Sequence, residues 1–395
     1  MKKIVIIGGG ASGMVAAISA KKENNEVIIL EKNNILGKKI LATGNGRCNY
    51  FNEIQDVSKY SSTTPKLLKE IISIENINMV LDFFNSLGII PKIKNGYYYP
   101  YSNKSENIKK ILEDKIKDLG IKVKYNFNIE DISYDNKFII KGNDIVEADS
   151  LIISTGGMAS PITGSTGDGY DFAKKFNHRV IKPKPALTYL KGNDKLQSIW
   201  AGIRVDAKVS LICDDEVVDT EEGELQLTKN GLSGICIFNL STRAIEEEAK
   251  SVEIGINFMP FIEPIMAVEF FKQRKEENCV KVLEGFLNLK LIKAFTEILN
   301  IKEDAKIEEV DIPSLIKLLT DYRFKVEGHG SFEDSQTTSG GVSLEEVNRQ
   351  TFASLKQENL YLTGELLDVS GKCGGYNLTF AWISGISAGL DASIN

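Results

Sequence analysis

The stretch MKKIVIIGGGASG, residues 1–13, joins an apolar strand pattern to a glycine-rich turn, and an alanine-rich segment follows it. A second apolar run at 27–30 ends at Glu31. A glycine-rich turn between a strand and a helix, with an acidic residue about twenty positions later, is typical of a dinucleotide-binding βαβ unit. The pattern therefore predicts a nucleotide cofactor site at this turn.

Three glycines of this turn have predicted roles. Gly8 permits the tight turn, Gly10 lets the backbone approach a pyrophosphate, and Gly13 lets the helix pack closely on the strand. Glu31 is placed to accept hydrogen bonds from a ribose. An ordinary surface loop is the alternative, and the flanking strand, helix and acidic residue argue against it.

Length and composition indicate a soluble protein of more than one domain. The 395 residues exceed the size of a single hydrophobic core, so we expect two or three domains. The content is 42% hydrophobic and 26% charged, as in globular proteins. A net charge of -6 provides no general attraction to nucleic acid or anionic lipid. We therefore expect a small-molecule substrate, no nucleic-acid partner and no membrane association, and the oligomeric state stays open.

No apolar run approaches the length that spans a bilayer, and the first apolar run is too short for a secretory signal, so we expect a cytoplasmic protein. The cysteines are odd in number and widely spaced, which argues against a disulfide framework or a CxxC pair. They are Cys48, Cys213, Cys236, Cys279 and Cys373. We expect His178 at the surface and His329 as a hinge residue. Two histidines cannot build a metal site alone, so we expect no bound metal.

Residues 37–49 are rich in glycine, cations and side-chain amides and follow the second predicted strand. The carboxyl edge of a parallel sheet is where such folds bind ligands. Lys39 and Arg47 can neutralise phosphate, and Asn49 offers a donor and an acceptor to a heterocycle. A solvated surface loop is the alternative. Further along, Thr155-Gly156-Gly157 ends another buried strand pattern and lets a bulky group approach it.

The end of the chain is predicted to return to its beginning. Residues 359–365 form a strand pattern that ends in Thr-Gly-Glu, and 374–378 open a helix. Gly385 and Gly389 leave one face of that helix nearly bare, so it can press against the first helix at small residues such as Ala16. The start of the last helix can then face the flavin carbonyl region that becomes anionic on reduction, which favours FAD over NAD.

The middle of the chain is interpreted as an insertion. Residues 188–263 carry short strand patterns and turns, and 264–327 carry helical patterns. The strand patterns lie at 203–212, 216–219, 224–228 and 235–240. The predicted fold class is α/β, a Rossmann-like FAD-binding domain built from 1–187 and 328–395, with an inserted antiparallel β-barrel-like domain and a small helical domain.

Several motifs together resemble one family. They are the glycine turn with Glu31, Gly-Arg-Cys-Asn at 46–49, Gly-Gly-Val at 340–342, 364–369, and Gly-Gly-Tyr-Asn at 374–377. They resemble the BaiN-type FAD-dependent oxidoreductases, bacterial flavoproteins variously described as dehydro-bile-acid reductases or aminoacetone oxidases. The resemblance spans nearly the whole chain and implies a two-part FAD domain interrupted by barrel-like and helical insertions.

The resemblance also implies roles for single residues. The glycines of the turn and Glu31 would hold the ADP half of FAD, Lys39, Arg47 and Asn49 would approach the pyrophosphate or flavin, and Glu365 would bind the ribityl chain. The complete predicted cofactor-binding set is Gly8, Gly10, Ala11, Ser12, Gly13, Glu31, Lys32, Gly37, Lys39, Thr43, Gly44, Arg47, Cys48, Asn49, Ile129, Thr155, Gly156, Gly157, Gly364, Glu365, Gly375, Tyr376, Asn377 and Leu378.

The leading hypothesis is that reduced flavin delivers a hydride from N5 to an electron-poor C=C bond of a small organic substrate. NAD(P)H would be a transient reductant, because no second glycine-rich nucleotide motif follows a strand. Arg47 and Tyr99 are the catalytic candidates, for substrate orientation. The loop Gly-Tyr-Tyr-Tyr-Pro at 96–100 departs from the relatives, which often have Gly, Arg or Gln, a variable residue, Phe and Pro, so their specificity is not transferred.

Two other functions stay open. One is a flavin amine oxidase with an aminoacetone-like donor and oxygen as acceptor, and the other is a flavin redox sensor without turnover. Cys48 and Cys373 are interpreted as small packing residues, with a redox pair as the alternative.

Overall fold

The structure is a computed structural model that describes residues 1–247 and 249–394, apart from the side chain of Pro264. The chain divides into two compact units. The first comprises Met1–Ala186 and Ser335–Asn395, and the second comprises Leu187–Asp334. No helix in the described part of the chain has the length and apolar character needed to cross a bilayer.

The elements follow one another as short strands and helices. The strands are β1 Lys2–Ile7, β2 Asn25–Leu30, β3 Phe51–Asn52, β4 Tyr60–Ser61, β5 Pro91–Lys94, β6 Tyr97–Pro100, β7 Lys122–Lys124, β8 Ile129–Asp135, β9 Lys137–Gly142, β10 Ile145–Ala148, β11 Ser150–Ile153, β12 Val180–Ala186, β13 Leu190–Lys191, β14 Arg204–Cys213, β15 Glu216–Leu227, β16 Gly231–Ser233, β17 Val252–Asn257, β18 Tyr322–Lys325, β19 Gly328–His329, β20 Thr337–Val342, β21 Leu360–Leu362 and β22 Ser370–Gly371. The α-helices are α1 Ala11–Ala20, α2 Leu68–Ile71, α3 Ile74–Ser86, α4 Ser105–Asp118, α5 Asp168–Lys175, α6 Gln197–Trp200, α7 Ile235–Glu246, α8 Pro264–Lys272, α9 Cys279–Glu284, α10 Leu289–Leu299, α11 Ile312–Thr320 and α12 Tyr376–Ala392.

A parallel sheet organises the first unit, with the strand order β21-β11-β1-β2-β7. Ile4 pairs with Ser150 on one side and with Val27 on the other. Residues 4–7 of β1 and 27–30 of β2 are all buried. A parallel strand that is covered on both faces has a continuous apolar sequence, as these two stretches do. The Rossmann-type α/β fold expected from the sequence is confirmed.

Helices α1 and α12 pack directly against each other. A Cβ atom on Gly385 would overlap the Ser12 carbonyl oxygen, and one on Gly389 would overlap that of Ala16. The bare face of the last helix is therefore a contact surface, because only glycine lets the two backbones approach this closely. The predicted return of the chain's end to its beginning is confirmed.

Four smaller sheets complete the first unit, with the orders β10-β9-β8, β3-β6-β5, β12-β20 and β22-β4. Through β3 and β6, the aromatic stretch 97–100 lies against 51–52. Through β12 and β20, the small polar stretch 337–342 lies against 180–186. The second pairing places Thr338 next to Gly157, which follows the carboxyl end of β11.

The second unit is built on an antiparallel sheet with the order β18-β17-β14-β15-β16-β13-β19. Its strands and the helices α6–α11 share one hydrophobic core. The prediction of a strand at 235–240 is wrong, since these residues form the start of helix α7. Cys236, Ile237 and Leu240 are buried at helical spacing, and a short apolar run does not by itself distinguish a strand from a buried helix.

Candidate functional site

The glycine turn combines tight packing with open space. Gly8 has φ of +96°, and a Cβ on it would lie 2.5 Å from the Ser154 carbonyl oxygen. A Cβ on Gly13 would overlap the Gly8 carbonyl oxygen, whereas a Cβ on Gly10 would meet nothing within 4 Å. The amides of Ala11 and Ser12 start helix α1 and have no acceptor within it. The turn therefore presents backbone N–H groups and free space, which is what a phosphate requires.

Glu31 lies buried beside this turn and accepts two backbone hydrogen bonds and one from a side chain. Its Oε2 accepts from Gly9 N at 2.6 Å, and its Oε1 accepts from Asn33 N at 2.8 Å and Asn33 Nδ2 at 2.7 Å. A carboxylate has about four lone-pair sites, so one stays available for a ribose hydroxyl. Phe127 N donates to the Glu31 carbonyl at 3.0 Å, which brings the start of β8 at Ile129 to the same place.

Lys32 and Gly37 complete this end of the site. The Lys32 ammonium pairs with Asp168 Oδ2 at 2.8 Å and also donates to the Thr166 hydroxyl, so it is tied to the start of α5. Gly37 has φ of +61° and donates its N–H to the Gly9 carbonyl at 2.8 Å. The residues after β2 are thereby fastened to the glycine turn.

The loop that follows has an unusual backbone. Gly44, Asn45, Gly46 and Cys48 all have φ between +55° and +78°, in the left-handed region. Glycine and asparagine tolerate that region, but for Cys48 it carries strain of about 1–3 kcal/mol. The loop is closed by Cys48 N, which donates to the Thr43 carbonyl at 3.0 Å. As a result Arg47 is exposed while its neighbour Cys48 is completely buried.

Asn49 is the observation that tests whether a flavin fits this site. Its Oδ1 is buried and has no hydrogen-bond partner in residues 1–247 and 249–394. Gly375 caps the N-terminus of α12, and a Cβ on it would lie 3.1 Å from the Asn49 oxygen. The Asn49 oxygen therefore lies at the N-terminus of α12. A buried acceptor left unpaired costs about 1–3 kcal/mol, whereas a heterocycle with an N–H group would satisfy it. The orphaned oxygen and the open space at Gly10 both fit a flavin dinucleotide.

The first turn of α12 is held in place by side chains. Asn377 accepts from Gly371 N and donates to the Gly371 carbonyl, both at 2.7 Å. The Tyr376 ring packs edge-on against Tyr60 with centroids 5.6 Å apart. Tyr376 and Asn377 therefore shape this turn through their side chains, while Leu378 lies half-buried beside them.

Four chain segments meet at Glu365, in what we call the Glu365 network: Lys39, Met158, Ala159, Thr338 and Glu365. Lys39 Nζ pairs with Glu365 Oε2 at 2.8 Å and donates to the Ala159 carbonyl at 3.2 Å. Thr338 donates to Glu365 Oε1 from both its N and its Oγ1, each at 3.0 Å. Lys39 and Glu365, both predicted to approach FAD, are thus brought together.

Small residues around the Glu365 network allow its segments to pack closely together. A Cβ on Gly157 would overlap Thr338 Oγ1 and lie 2.9 Å from Glu365 Oε1. Gly364 has φ of +68°, and a Cβ on it would lie 2.5 Å from Ser12 Oγ. Thr155 precedes Gly156, whose φ is +73°. The predicted stretch 155–157 therefore lies next to Glu365, as a shared site requires.

Thr338 is the residue that sequence reasoning missed. It lies in Thr337-Thr338-Ser339-Gly340-Gly341, directly before the Gly-Gly-Val motif that carried part of the resemblance. All six residues of β20 are buried. A run of small polar residues in a buried strand is a signal, because buried hydroxyl groups need partners.

Tyr99 and Arg47 are neighbours. Tyr99 Cε1 would lie 3.8 Å from a Cβ on Gly44, and Gly44 belongs to the same loop as Arg47. Burial raises the pKa of the half-buried Tyr99 hydroxyl, and the nearby Arg47 guanidinium opposes that shift. Tyr99 is therefore a protonated hydrogen-bond donor at neutral pH. Arg47 forms no ion pair within residues 1–247 and 249–394, and its guanidinium lies close enough to Tyr99 to influence the hydroxyl electrostatically.

The two cysteines of the site are free thiols. Burial raises the pKa of Cys48 to about 12, so the thiol stays protonated and lacks the nucleophilic thiolate. Cys373 Sγ lies 3.9 Å from Gln336 Oε1. These environments favour the packing interpretation over a redox pair.

The histidines lie elsewhere. The expectation of a surface position for His178 is wrong, since the residue is 3% exposed, with Nε2 2.8 Å from Ser354 Oγ and Nδ1 3.2 Å from Glu346 Oε2. Partners more than 160 positions away along the chain cover it, and the local sequence does not show them. His329 lies in β19 with Nδ1 2.7 Å from the Gly330 carbonyl. No group of three or more metal-binding side chains occurs in the described part of the chain.

Comparisons with known proteins show which family the chain belongs to. A family model for the HI0933-like protein Rossmann domain matches residues 2–391. The 3-dehydro-bile acid delta(4,6)-reductase of Clostridium scindens is 35% identical over 374 residues, which cover 92% of this chain and 91% of that protein. A ribosomal RNA dihydrouridine synthase of Haemophilus influenzae is 27% identical and is covered to 90%, with 91% of this chain.

A solved structure supports the fold alone. The 3-ketosteroid delta1-dehydrogenase from Sterolibacterium denitrificans superposes with a TM-score of 0.52 at 10% identity, covering 100% of both chains. The family match and the 35% identity confirm the resemblance drawn from the sequence motifs. The protein therefore belongs to the HI0933-like Rossmann family and is a flavin-dependent oxidoreductase.

Proposed function

We propose that this oxidoreductase holds FAD in the site described above and reduces an electron-poor C=C bond of a small organic substrate, with NAD(P)H as a transient reductant. The observation that carries the proposal is the pairing of Arg47, without an ion-pair partner in the described residues, with the protonated, half-buried Tyr99. The orphaned Asn49 oxygen at the start of α12 supports a flavin beside them.

The cofactor is held along the carboxyl edge of the parallel sheet. The amides around Gly10 bind the pyrophosphate, and Glu31 accepts from the ribose. Asn49 and the first turn of α12 bind the flavin, and Glu365 binds the ribityl chain. When bound and reduced, FAD supplies a hydride from N5.

Arg47 and Tyr99 act on the substrate through its oxygen. A C=C bond is electron-poor when it is conjugated to a carbonyl group, and negative charge builds on that oxygen during reduction. Arg47 and Tyr99, as donors near that oxygen, stabilise this charge. The name of the Clostridium scindens relative, a 3-dehydro-bile acid reductase, supports a steroid-like ketone as the substrate class.

The second unit supplies the inserted region of the proposal, with β-rich residues 188–263 and helical residues 264–327. We propose a barrel-like closure of its sheet. β18 and β19 form the two ends of the strand order, yet only residues 326 and 327 separate them in sequence, so the sheet must curl until its edges are close. The proposed use of NAD(P)H as reductant also implies a cytoplasmic location for the protein.

An anaerobic experiment tests the proposal. The oxidised protein is mixed with NADH or NADPH, and bleaching of the flavin absorbance is followed; a steroidal enone is then added, and the absorbance is expected to return. Tyr99→Phe is expected to lower kcat/KM by about a hundredfold. Tyr101→Phe is the matched control, because Tyr101 is 71% exposed. A protein that both pyridine nucleotides leave yellow contradicts the reductase. In a separate assay in aerated buffer, peroxide release on amine addition points to the oxidase.

The relatives named ribosomal RNA dihydrouridine synthases define a second candidate substrate, since the bond reduced in uridine is also conjugated to a carbonyl group. The net charge of -6 argues against RNA as the partner. Ribosomal RNA added to the bleached protein decides between the two. Reoxidation by RNA and not by the enone makes RNA the substrate.

A further inference from the structure

We infer that Thr338 is a positioning residue for the cofactor, whose hydroxyl fixes the direction in which the Glu365 carboxylate faces FAD. The inference rests on the proposed function, because it takes Glu365 to be a FAD-binding residue. It adds a residue from strand β20 to a site assembled from the sequence motifs alone.

The hydroxyl of Thr338 uses all of its hydrogen-bonding sites. Its Oγ1 accepts from Met158 N at 2.8 Å and from Ala159 N at 3.0 Å, and it donates to Glu365 Oε1 at 3.0 Å. A hydroxyl group has one donor and two acceptor sites, so all three are used. With both lone pairs occupied by backbone amides, the proton is directed at Glu365.

The carboxylate is consequently held from two sides. Oε1 accepts from Thr338 N and Oγ1, and Oε2 pairs with Lys39. Three of about four lone-pair sites are then engaged, and the direction of the remaining one is determined. The Thr338 side chain is completely buried, so water does not compete for these bonds.

Strand β20 also offers a matched control. Thr337 is the preceding residue, it is 2% exposed, and its Oγ1 has no hydrogen-bond partner in the described residues. Successive residues of a strand point to opposite faces. Replacement of either threonine by valine removes a buried hydroxyl from the same strand at nearly equal volume. Only at position 338 does it break the hydroxyl's bond to Glu365, together with the bonds from Met158 N and Ala159 N.

The test compares Thr338→Val, Thr338→Ser and Thr337→Val in the holoprotein. The dissociation constant of FAD is measured from the fluorescence of flavin released on serial dilution. Thr338→Val is expected to raise this constant at least about tenfold. Thr338→Ser, which keeps the hydroxyl, and Thr337→Val are expected to change it less than about threefold. Equal weakening by the two valine variants overturns the inference.

A double-mutant cycle with Glu365→Gln separates positioning from general packing. If Thr338 acts through Glu365, Thr338→Val weakens FAD binding much less in the Glu365→Gln background than in the parent. An undiminished effect in that background overturns the inference and leaves the proposed function intact. If Glu365→Gln alone leaves the dissociation constant unchanged, the proposed role of Glu365 fails instead, and the inference fails with it. Should Thr338→Val not fold, Thr338→Cys enters the same cycle under the same criteria, because a thiol hydrogen-bonds only weakly.

Discussion

Two carboxylates in the proposed cofactor site, buried Glu31 and half-buried Glu365, are held in similar ways by very different stretches of chain. Glu31 accepts from Gly9, which lies 22 positions away. Glu365 pairs with Lys39, 326 positions away, and is fixed by Thr338, which itself accepts from Met158, 180 positions away. Each carboxylate keeps about one lone-pair site free. A short βαβ unit contains everything that Glu31 needs, whereas Glu365 depends on four separated segments.

The two carboxylate sites differ in how far apart along the chain their contributing residues lie. The glycine turn and Glu31 form one unit because strand, turn and helix are consecutive in the chain. The Glu365 network exists only after β20 has paired with β12 and after β21 has joined the parallel sheet. We therefore expect damage to the glycine turn to affect the fold first, and damage to the Glu365 network to affect the cofactor first.

The largest expected effect is at Gly13. Gly13→Ala places a Cβ onto the Gly8 carbonyl oxygen, and it is expected to lower the free energy of unfolding by about 3 kcal/mol or more. Gly10→Ala meets nothing within 4 Å and is expected to leave the FAD-free protein as stable as the parent while weakening FAD binding. Urea unfolding and flavin-release titrations measure the two effects. Equal stability of both variants would break the comparison.

The next effect contrasts the two carboxylate sites directly. Glu31→Ala removes the acceptor of three N–H donors and is expected to cost about 3 kcal/mol. Lys39→Met breaks an ion pair whose side chains are 26% and 19% exposed, and it is expected to cost only about 1 kcal/mol. Urea unfolding of both FAD-free variants measures the difference. A larger loss for Lys39→Met would reverse the order that we expect.

A smaller effect concerns another long-range group, His178 with Glu346 and Ser354. Burial lowers the pKa of His178 below its ordinary value of 6.5, and Glu346 opposes that shift. The unfolded chain then takes up a proton near pH 6.5 while the folded chain does not, so this contribution is complete above that pH and is lost as the pH falls below it.

The corresponding measurement is the free energy of unfolding between about pH 7 and about pH 5.5. The histidine contributes a loss of at most about 1.4 kcal/mol per pH unit, and His178→Gln is expected to flatten that slope. Flavin release is expected to keep its pH dependence in this variant, because His178 lies outside the Glu365 network. Identical slopes in the parent and in His178→Gln would show that this histidine does not titrate as described.

The smallest effects are expected at the cysteines. Cys48→Ser introduces a hydroxyl group at a completely buried position and is expected to cost about 1 kcal/mol, whereas Cys373→Ser is expected to cost almost nothing. Because neither thiol is given a redox role, the rate of flavin bleaching by NAD(P)H is expected to match the parent in both variants. A slower rate in both would restore the redox pair as a hypothesis.

Much of the first unit was predictable because its signals are local. The strand at 4–7, the glycine turn and the bare face of α12 each follow from residue types at short spacing. The helix at 235–246, the burial of His178 and the role of Thr338 were not predictable in the same way. Each of these depends on a partner that lies elsewhere in the chain, and a single sequence does not identify that partner.

Residue types alone were sufficient to recognise the dinucleotide turn, the acidic residue after β2 and the glycine spacing that lets α1 and α12 touch, since backbone sterics and hydrophobic periodicity act between near neighbours. The joining of Lys39, Thr338 and Glu365 in one network and the electrostatic proximity of Arg47 to Tyr99 depend on the folded chain as a whole. Hydrogen bonds and ion pairs depend on distances of about 3 Å, and only complete folding brings residues from distant segments that close.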